Sequence, residues 1–197
     1  MRLSTKALSL ILLMSTSAYI QANVYAGAAL GFSSAASPNL ASSTSSNQQY
    51  TYAANLGYDY NINQHFAGGI EGNYTNYGKT SYSSASPASS GNFKNSAIQV
   101  LITGTYLMDN GVNTFVKAGM VHEQSNLNLA TGSTSISNWI PALAGGIGYR
   151  VLKNLNLYIQ YQHNFGKNWA NATASSTPNE PASMDSLTAG FNYLFPM

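Results

Sequence analysis

Serine and histidine side chains are the first candidates for chemistry in this sequence. Such a pair can act as nucleophile and base when the two side chains lie within hydrogen-bond reach. His122 is close in sequence to Ser125, and His163 and Ser183 fall at a comparable level near the ends of predicted strands. No motif of the His-x-Ser-Asn type occurs, and His65 opens a strand beside a turn. We therefore assign no catalytic residue.

Cofactors and nucleic acids are poor partners for this chain. The absence of cysteine excludes disulfides, thiolate metal sites and a cysteine nucleophile, and no zinc-ligand cluster appears, so we predict no metal or cofactor. The 197 residues include only 8 Lys and Arg and 6 Asp and Glu. Charged residues make up 7% of the chain, against about 25% in a soluble domain. Without a basic stripe, no nucleic-acid partner is expected.

Residues 1–22 have the pattern of a secretory signal peptide. Arg2 and Lys6 precede an apolar run over residues 7–18, which is shorter than the roughly 20 residues of a membrane-spanning helix. We place cleavage after Ala22, with cleavage after Ala18 as the alternative. Residues 23–197 then form a single exported domain.

Apolar residues at every second position predict eight β-strands of about ten residues in that domain. The clearest strand covers residues 50–60. Short connections rich in Asn, Asp and Gly alternate with long ones rich in Ser, Ala, Asn, Thr and Pro. The result is an antiparallel meander with short turns at one end, over 61–64, 109–113 and 152–154, and long loops at the other, over 33–48, 78–92, 126–137 and 166–182.

Two barrels fit this pattern: a soluble barrel with an apolar lumen, and a membrane barrel with its apolar face in lipid. The polar face is small and neutral, as in Asn55, Gly57 and Thr103, which suits a crowded interior better than a water-exposed surface. The opposite face is aliphatic in its middle and aromatic at its ends, as at membrane interfaces. We therefore predict an all-β, eight-stranded, up-and-down transmembrane barrel, with interface aromatics at Tyr50, Tyr58, Tyr60, Phe66, Tyr74, Tyr106, Trp139, Tyr149, Tyr161, Tyr193 and Phe195.

Most charges of the strands fall on the predicted inner face. An unpaired charge in a narrow barrel is very costly, so these groups need partners. Counting from the turns places Glu71 and Lys117 at similar heights. We predict an interior ion-pair network centred on these two residues, with Glu123 nearer the loops and Asp59 and Arg150 near the turns. It is either a structural plug or the gate of a narrow ion path, and the small lumen of eight strands favours a plug.

The last strand carries a resemblance to a known family. Its alternating Leu187, Phe191, Tyr193 and Phe195 resemble the carboxy-terminal signal read by the outer-membrane assembly machinery, although Pro196 and Met197 follow here. The whole mature chain resembles the small eight-stranded outer-membrane barrels of Gram-negative bacteria, of the OmpA-like, OmpX-like and opacity-protein kind.

The resemblance implies a non-enzymatic integral protein of the bacterial outer membrane. Its role would be to present four polar extracellular loops for envelope structure or for adhesion. Its partners would be outer-membrane lipid, lipopolysaccharide, the assembly machinery and a host-surface ligand met by the loops, with the protein itself a monomer. A small porin-like channel is the alternative function. An enzyme that modifies lipopolysaccharide is the third.

Overall fold

Nine strands form one antiparallel sheet in a computed structural model of the chain, which describes residues 22–35, 44–45, 49–83, 91–129, 132–167 and 180–196. Strand β2 has two residues and pairs only with the outer end of β4, so eight strands build the wall. The strands are β1 (Ala22–Ala35), β2 (Thr44–Ser45), β3 (Gln49–Asn61), β4 (Phe66–Ser83), β5 (Gly91–Leu107), β6 (Val112–Leu129), β7 (Gly132–Leu152), β8 (Leu155–Asn164) and β9 (Met184–Pro196).

The sheet closes because β9 pairs with β1, as Phe191 opposite Ala28 illustrates. All neighbouring wall strands are antiparallel, and β4 and β5 complete the ring. Closure gives each wall strand two partners, which a sheet in hydrocarbon needs because lipid offers no hydrogen bonds. The predicted eight-stranded up-and-down barrel is therefore confirmed.

Among the described residues, none belongs to a helix long and apolar enough to cross a membrane. The predicted signal peptide, residues 1–22, lies outside the described residues apart from Ala22. It stays a prediction, as does the cleavage site.

The strands extend further at the loop end than the sequence pattern predicted. The long loop predicted over 126–137 is wrong, since β6 and β7 continue to Leu129 and Gly132, which face each other across the hairpin. The two arms pair throughout with each other. That regular pairing holds their Ser, Thr and Asn residues in strands despite a composition typical of loops. The loop predicted over 78–92 is shortened in the same way by β4 and β5.

Strand β8 has 10 residues and its neighbour β7 has 21, and Pro141 explains where their pairing stops. The Phe165 N–H donates to the Pro141 carbonyl at 2.9 Å, so the nitrogen of Pro141 also faces β8. Proline has no N–H to return the hydrogen bond. In the part of the chain that the structure describes, β7 pairs beyond this point with β6 alone.

The outer face of the barrel is apolar, as predicted. Its middle carries aliphatic side chains such as Ile102, which is 71% exposed, and Leu143 and Ile159. Aromatic residues lie towards both ends of the strands, and all those predicted for the membrane interfaces lie on this outer face. The inner face holds the buried polar residues. The apolar side of the sheet therefore meets lipid.

Replacing Ile102 with lysine places a charge at mid-barrel on the lipid face. We expect Ile102→Lys to lower the free energy of unfolding by about 2–4 kcal/mol, whereas Ser96→Lys, nearer the loop end of β5, costs at most about 1 kcal/mol. Urea unfolding of protein refolded into lipid vesicles measures both values. Equal costs at the two positions would contradict the depth assigned to them.

Candidate functional site: the barrel interior

A buried ion pair lies at the centre of the lumen. Lys117 on β6 donates to both carboxylate oxygens of Glu71 on β4, at 2.9 and 2.8 Å. The Tyr25 hydroxyl and the Asn55 amide also donate to Glu71 Oε2, at 2.9 and 3.2 Å. Glu71 is 0% exposed and Lys117 is 5% exposed. The carboxylate thus receives four hydrogen bonds, as a charge out of water requires.

Aromatic rings enclose the lysine of this pair. Lys117 Nζ lies 5.1 Å from the ring centre of Phe115 and 5.6 Å from that of Tyr158, and the two rings meet edge to face. Inward glycines provide the room. A methyl group at Gly57 would overlap the Tyr25 ring, and one at Gly146 would overlap Phe115. Sequence reasoning missed these inward rings, although the glycines opposite them were a signal.

The remaining charges predicted for the network lie apart from this pair. Asp59 accepts a hydrogen bond from Thr103 at 3.1 Å, and Arg150 is exposed at the turn end. Both line a cavity at that end whose wall also includes Lys117. Glu123 lies in the outer half of the lumen. The structure therefore brings together only Glu71 and Lys117 of the five predicted residues.

An amide network fills the outer half of the lumen. The Tyr77 hydroxyl accepts hydrogen bonds from Asn164 at 2.8 Å and from Gln99 at 3.2 Å. Gln162 donates to Asn164 and to Gln99, at 2.8 and 3.0 Å. Asn164 also donates to Glu123 Oε2 at 3.0 Å. The sequence pattern predicted neutral polar residues on this face, but not the buried tyrosine that joins them.

Apolar side chains occupy the lumen beside and above this network. They come from β5, β6, β7 and β9 and from the segment just before β9, and together with Tyr77 of β4 they form one buried cluster that includes Phe93, Leu101, Val121, Ile140 and Met184. This cluster is on the inner face, where the sequence pattern predicted small or neutral residues. The side chains fill space that water would otherwise occupy.

The serine and histidine candidates do not form a nucleophile–base pair. His122 points outward and meets the Trp139 ring at 5.2 Å between centres, whereas Ser125 is buried on the inner face. His163 Nδ1 lies 2.7 Å from Asp185, and the Ser183 hydroxyl donates instead to the Asn164 carbonyl at 3.1 Å.

His65 Nδ1 lies 3.2 Å from the Leu107 carbonyl at a turn. In the described ranges, no group of three His, Cys, Asp or Glu side chains could hold a metal ion.

The four residues of the predicted assembly signal lie on the outer face of β9. Leu187, Phe191, Tyr193 and Phe195 are all exposed there, and the Tyr193 and Phe195 rings meet at 5.0 Å. Strand β9 pairs with both β8 and β1, so the last strand is also the one that closes the barrel.

Comparison with known proteins defines the class. Residues 5–195 match the family described as the outer membrane protein beta-barrel domain, and the chain belongs to this family. It is therefore a β-barrel protein of the bacterial outer membrane. No curated protein sequence matches the chain.

Two solved structures have similar folds. One is the attachment invasion locus protein Ail of Yersinia pestis, with 14% identity, a TM-score of 0.54, and coverage of 90% of this chain and 100% of that one. The other is neisserial surface protein A, with 17% identity, a TM-score of 0.54, and coverage of 87% and 97%.

Removing the lysine of the central ion pair leaves a buried carboxylate without its cation. We expect Lys117→Met to lower the free energy of unfolding by about 3–5 kcal/mol. Adding Glu71→Gln removes the unpaired carboxylate charge, so the double variant should recover most of the lost free energy of unfolding. Urea unfolding in vesicles measures the three proteins. A Lys117→Met protein as stable as the wild type would show that the pair contributes nothing.

Proposed function

We propose that this protein is a non-enzymatic outer-membrane anchor that presents its four polar connections to the outside, for envelope structure or for adhesion to other surfaces. The observation that carries the proposal is the filled lumen. Side chains occupy it from the central ion pair through the amide network and the apolar cluster, which extends from the level of Glu71 towards the loop end. A barrel of eight strands has room for little else.

The closed wall supports a monomer in the membrane. Each wall strand is paired on both edges through the middle of the barrel, and the part of β7 paired on one edge only lies beyond Pro141 towards the loop end, so the described wall offers no open edge in its middle for a second copy to join. The connections at the loop end are rich in Ser, Thr and Asn. Such neutral polar segments are the part of the chain available to a host-surface ligand. The outward alternating residues of β9 support recognition by the assembly machinery during insertion.

A small channel is the second candidate, because the cavity at the turn end reaches Lys117. On the plug interpretation, that cavity ends at the Glu71–Lys117 pair. On the gate interpretation, breaking the pair would open a path from the cavity towards the amide network.

Conductance separates these interpretations. We expect no step conductance in planar bilayers from the wild-type protein or from Lys117→Ala, because the amide network and apolar cluster still fill the outer half. Steps in the wild type would contradict the plug. Steps that appear only in Lys117→Ala would show that the ion pair is a gate.

The contact of His163 with Asp185 near the loop end does not support a hydrolytic role. Asp185 accepts hydrogen bonds from the Tyr161 hydroxyl at 2.5 Å and from His163 at 2.7 Å. A base of this kind needs a nucleophile on its other nitrogen, and the nearby Ser183 hydroxyl donates to a main-chain carbonyl. We interpret the group as a polar rim contact on the outer face of β8 and β9.

A pair of lysines on the outer face supports binding to anionic lipid. Lys79 on β4 lies directly opposite Lys94 on β5. Strict alternation would turn Lys79 inward, but a bulge after Asn76, with Gly78 at a φ of 83°, brings it to the outer face. Like charges directly opposite each other destabilise a sheet. The described parts of β4, β5 and β6 carry no acidic residue on this face.

The position of the two lysines indicates which anion they meet. Lys94 lies four residues beyond Ile98, whose row across the sheet includes Tyr74, His122 and Trp139. Four residues span about 13 Å along a strand. The lysines therefore lie above the aromatic belt, at the height of lipid headgroups. We propose that the phosphates of lipopolysaccharide occupy the space beside them.

Neutralising this pair should remove a lipid-dependent part of the stability. We expect vesicles containing lipopolysaccharide to raise the free energy of unfolding of the wild type above its value in zwitterionic lipid, by about 1 kcal/mol per lysine. Lys79→Gln with Lys94→Gln should lose most of that gain. Lys167→Gln is the matched control, because Lys167 lies 3.5 Å from Glu180 at the same end. An unchanged gain in the double variant would refute this contact.

A further inference from the structure

Glu123 is the second carboxylate fully buried in the lumen, and it lacks the partners that Glu71 has. Its side chain is 0% exposed. Oε2 accepts one hydrogen bond, from Asn164, and Oε1 has no partner among the described residues. Glu71, by contrast, receives an ammonium group, a hydroxyl and an amide.

Two further buried oxygens without partners lie beside this carboxylate. Asn95 is 2% exposed and Ser125 is 0% exposed. Asn95 Oδ1 and Ser125 Oγ have no hydrogen-bond partner in the described parts of the chain. Asn95 lies directly opposite Ser125 across β5 and β6, and Glu123 is the next inward residue of β6. Three oxygen atoms from neighbouring inward positions therefore all lack a hydrogen-bond partner.

The described residues offer no cation for this site. Lys117 is the inward lysine of β6, but it is paired with Glu71 and lies six residues from Glu123, about 20 Å along the strand. Lys94 is next to Asn95 in sequence and points to the opposite face. The Asn95 amide nitrogen is turned away, since it donates to the Met184 sulfur at 3.2 Å.

The chemistry of the three oxygens indicates what they bind. A lone ionised carboxylate is very costly to bury, so either a proton or a bound cation must neutralise it. Carboxylate, amide and hydroxyl oxygens are ligands of hard cations. A single positive charge neutralises Glu123, whereas a divalent ion would leave an excess positive charge in the lumen.

We propose that Glu123, Asn95 and Ser125 form a site for a monovalent alkali cation, with sodium as its representative, in the outer half of the barrel. The buried cluster that contains Phe93 and Met184 lies on the inner face at this level, so exchange with the medium is slow. The ion would enter as the barrel closes. This inference does not depend on whether the loops bind a ligand.

Refolding in different salts tests the site. The full chain is refolded into detergent micelles in sodium chloride or in choline chloride of equal ionic strength, and its thermal unfolding midpoint is measured. We expect a higher midpoint in sodium, rising with the logarithm of its concentration, because a bound ion stabilises only the folded state. Glu123→Gln should abolish the sodium dependence and should be at least as stable as the wild type in choline.

Two further variants test whether the sodium response comes from the proposed site. Gln124→Ala, an exposed outward neighbour on the same strand, should keep the full sodium response. Ser125→Ala should raise the sodium concentration needed for half the effect by about tenfold, as expected when one oxygen contact to a charged group is lost. If Glu123→Gln fails to fold, the Ser125→Ala result decides.

Identical wild-type midpoints in sodium and choline would overturn the proposal, and would show that Glu123 holds a proton or a water molecule instead. A sodium response that persists in Glu123→Gln, or one unchanged in Ser125→Ala, would place any bound ion elsewhere.

Discussion

Hydrocarbon offers no hydrogen bonds, and that constraint governs the whole chain. Every N–H and C=O inside the lipid must find a partner within the protein, so the sheet has to close. Closure requires β9 to meet β1 in register, which the ladder from Asn23 to Ala35 achieves. Once the wall is closed, apolar side chains on its outer face lie against lipid and carry no free-energy penalty for exposure to water. The same residues would be a liability on a soluble protein.

The closed wall creates a second demand, on the inside. A narrow lumen cut off from bulk water must be filled, and each charge within it must be compensated. Inward glycines such as Gly57 and Gly146 leave space that Tyr25 and Phe115 occupy. Glu71 is compensated by Lys117 from the neighbouring part of the wall. Glu123 has no such neighbour among the described residues, which is why it points to a ligand.

The fold was predictable because each strand of a closed wall has one face in lipid and one in the lumen, so apolar and polar residues alternate along it. Residues 50–60 alternate so regularly that both faces could be assigned, and the scarcity of charge determined which face meets lipid. Strand ends were less predictable. The Ser, Thr and Asn residues after position 126 have the composition of a loop, and only their pairing across the β6–β7 hairpin makes them strands. The bulge that turns Lys79 outward also breaks the alternation on which the assignment depends.

The interior was predictable in part. Heights counted from the turns identified Glu71 and Lys117 as neighbours, since register follows from turn length. Asn55 lies on β3, the hairpin partner of β4, and its height was open to the same counting but was overlooked. Tyr25 lies on β1, which no short turn joins to β4, so counting from the turns did not place it beside Glu71. The alternation did carry one neglected signal: His122 and Ser125 are three positions apart, an odd offset, so they had to face opposite sides of the sheet.

Heat-modifiable gel mobility of the protein in the outer-membrane fraction tests most directly whether a closed wall with its apolar face in lipid is correct. A compact barrel resists unfolding by detergent until it is heated, so the unheated and boiled samples should migrate at different positions. A protein that is found in the soluble fraction and migrates identically before and after boiling would contradict the account.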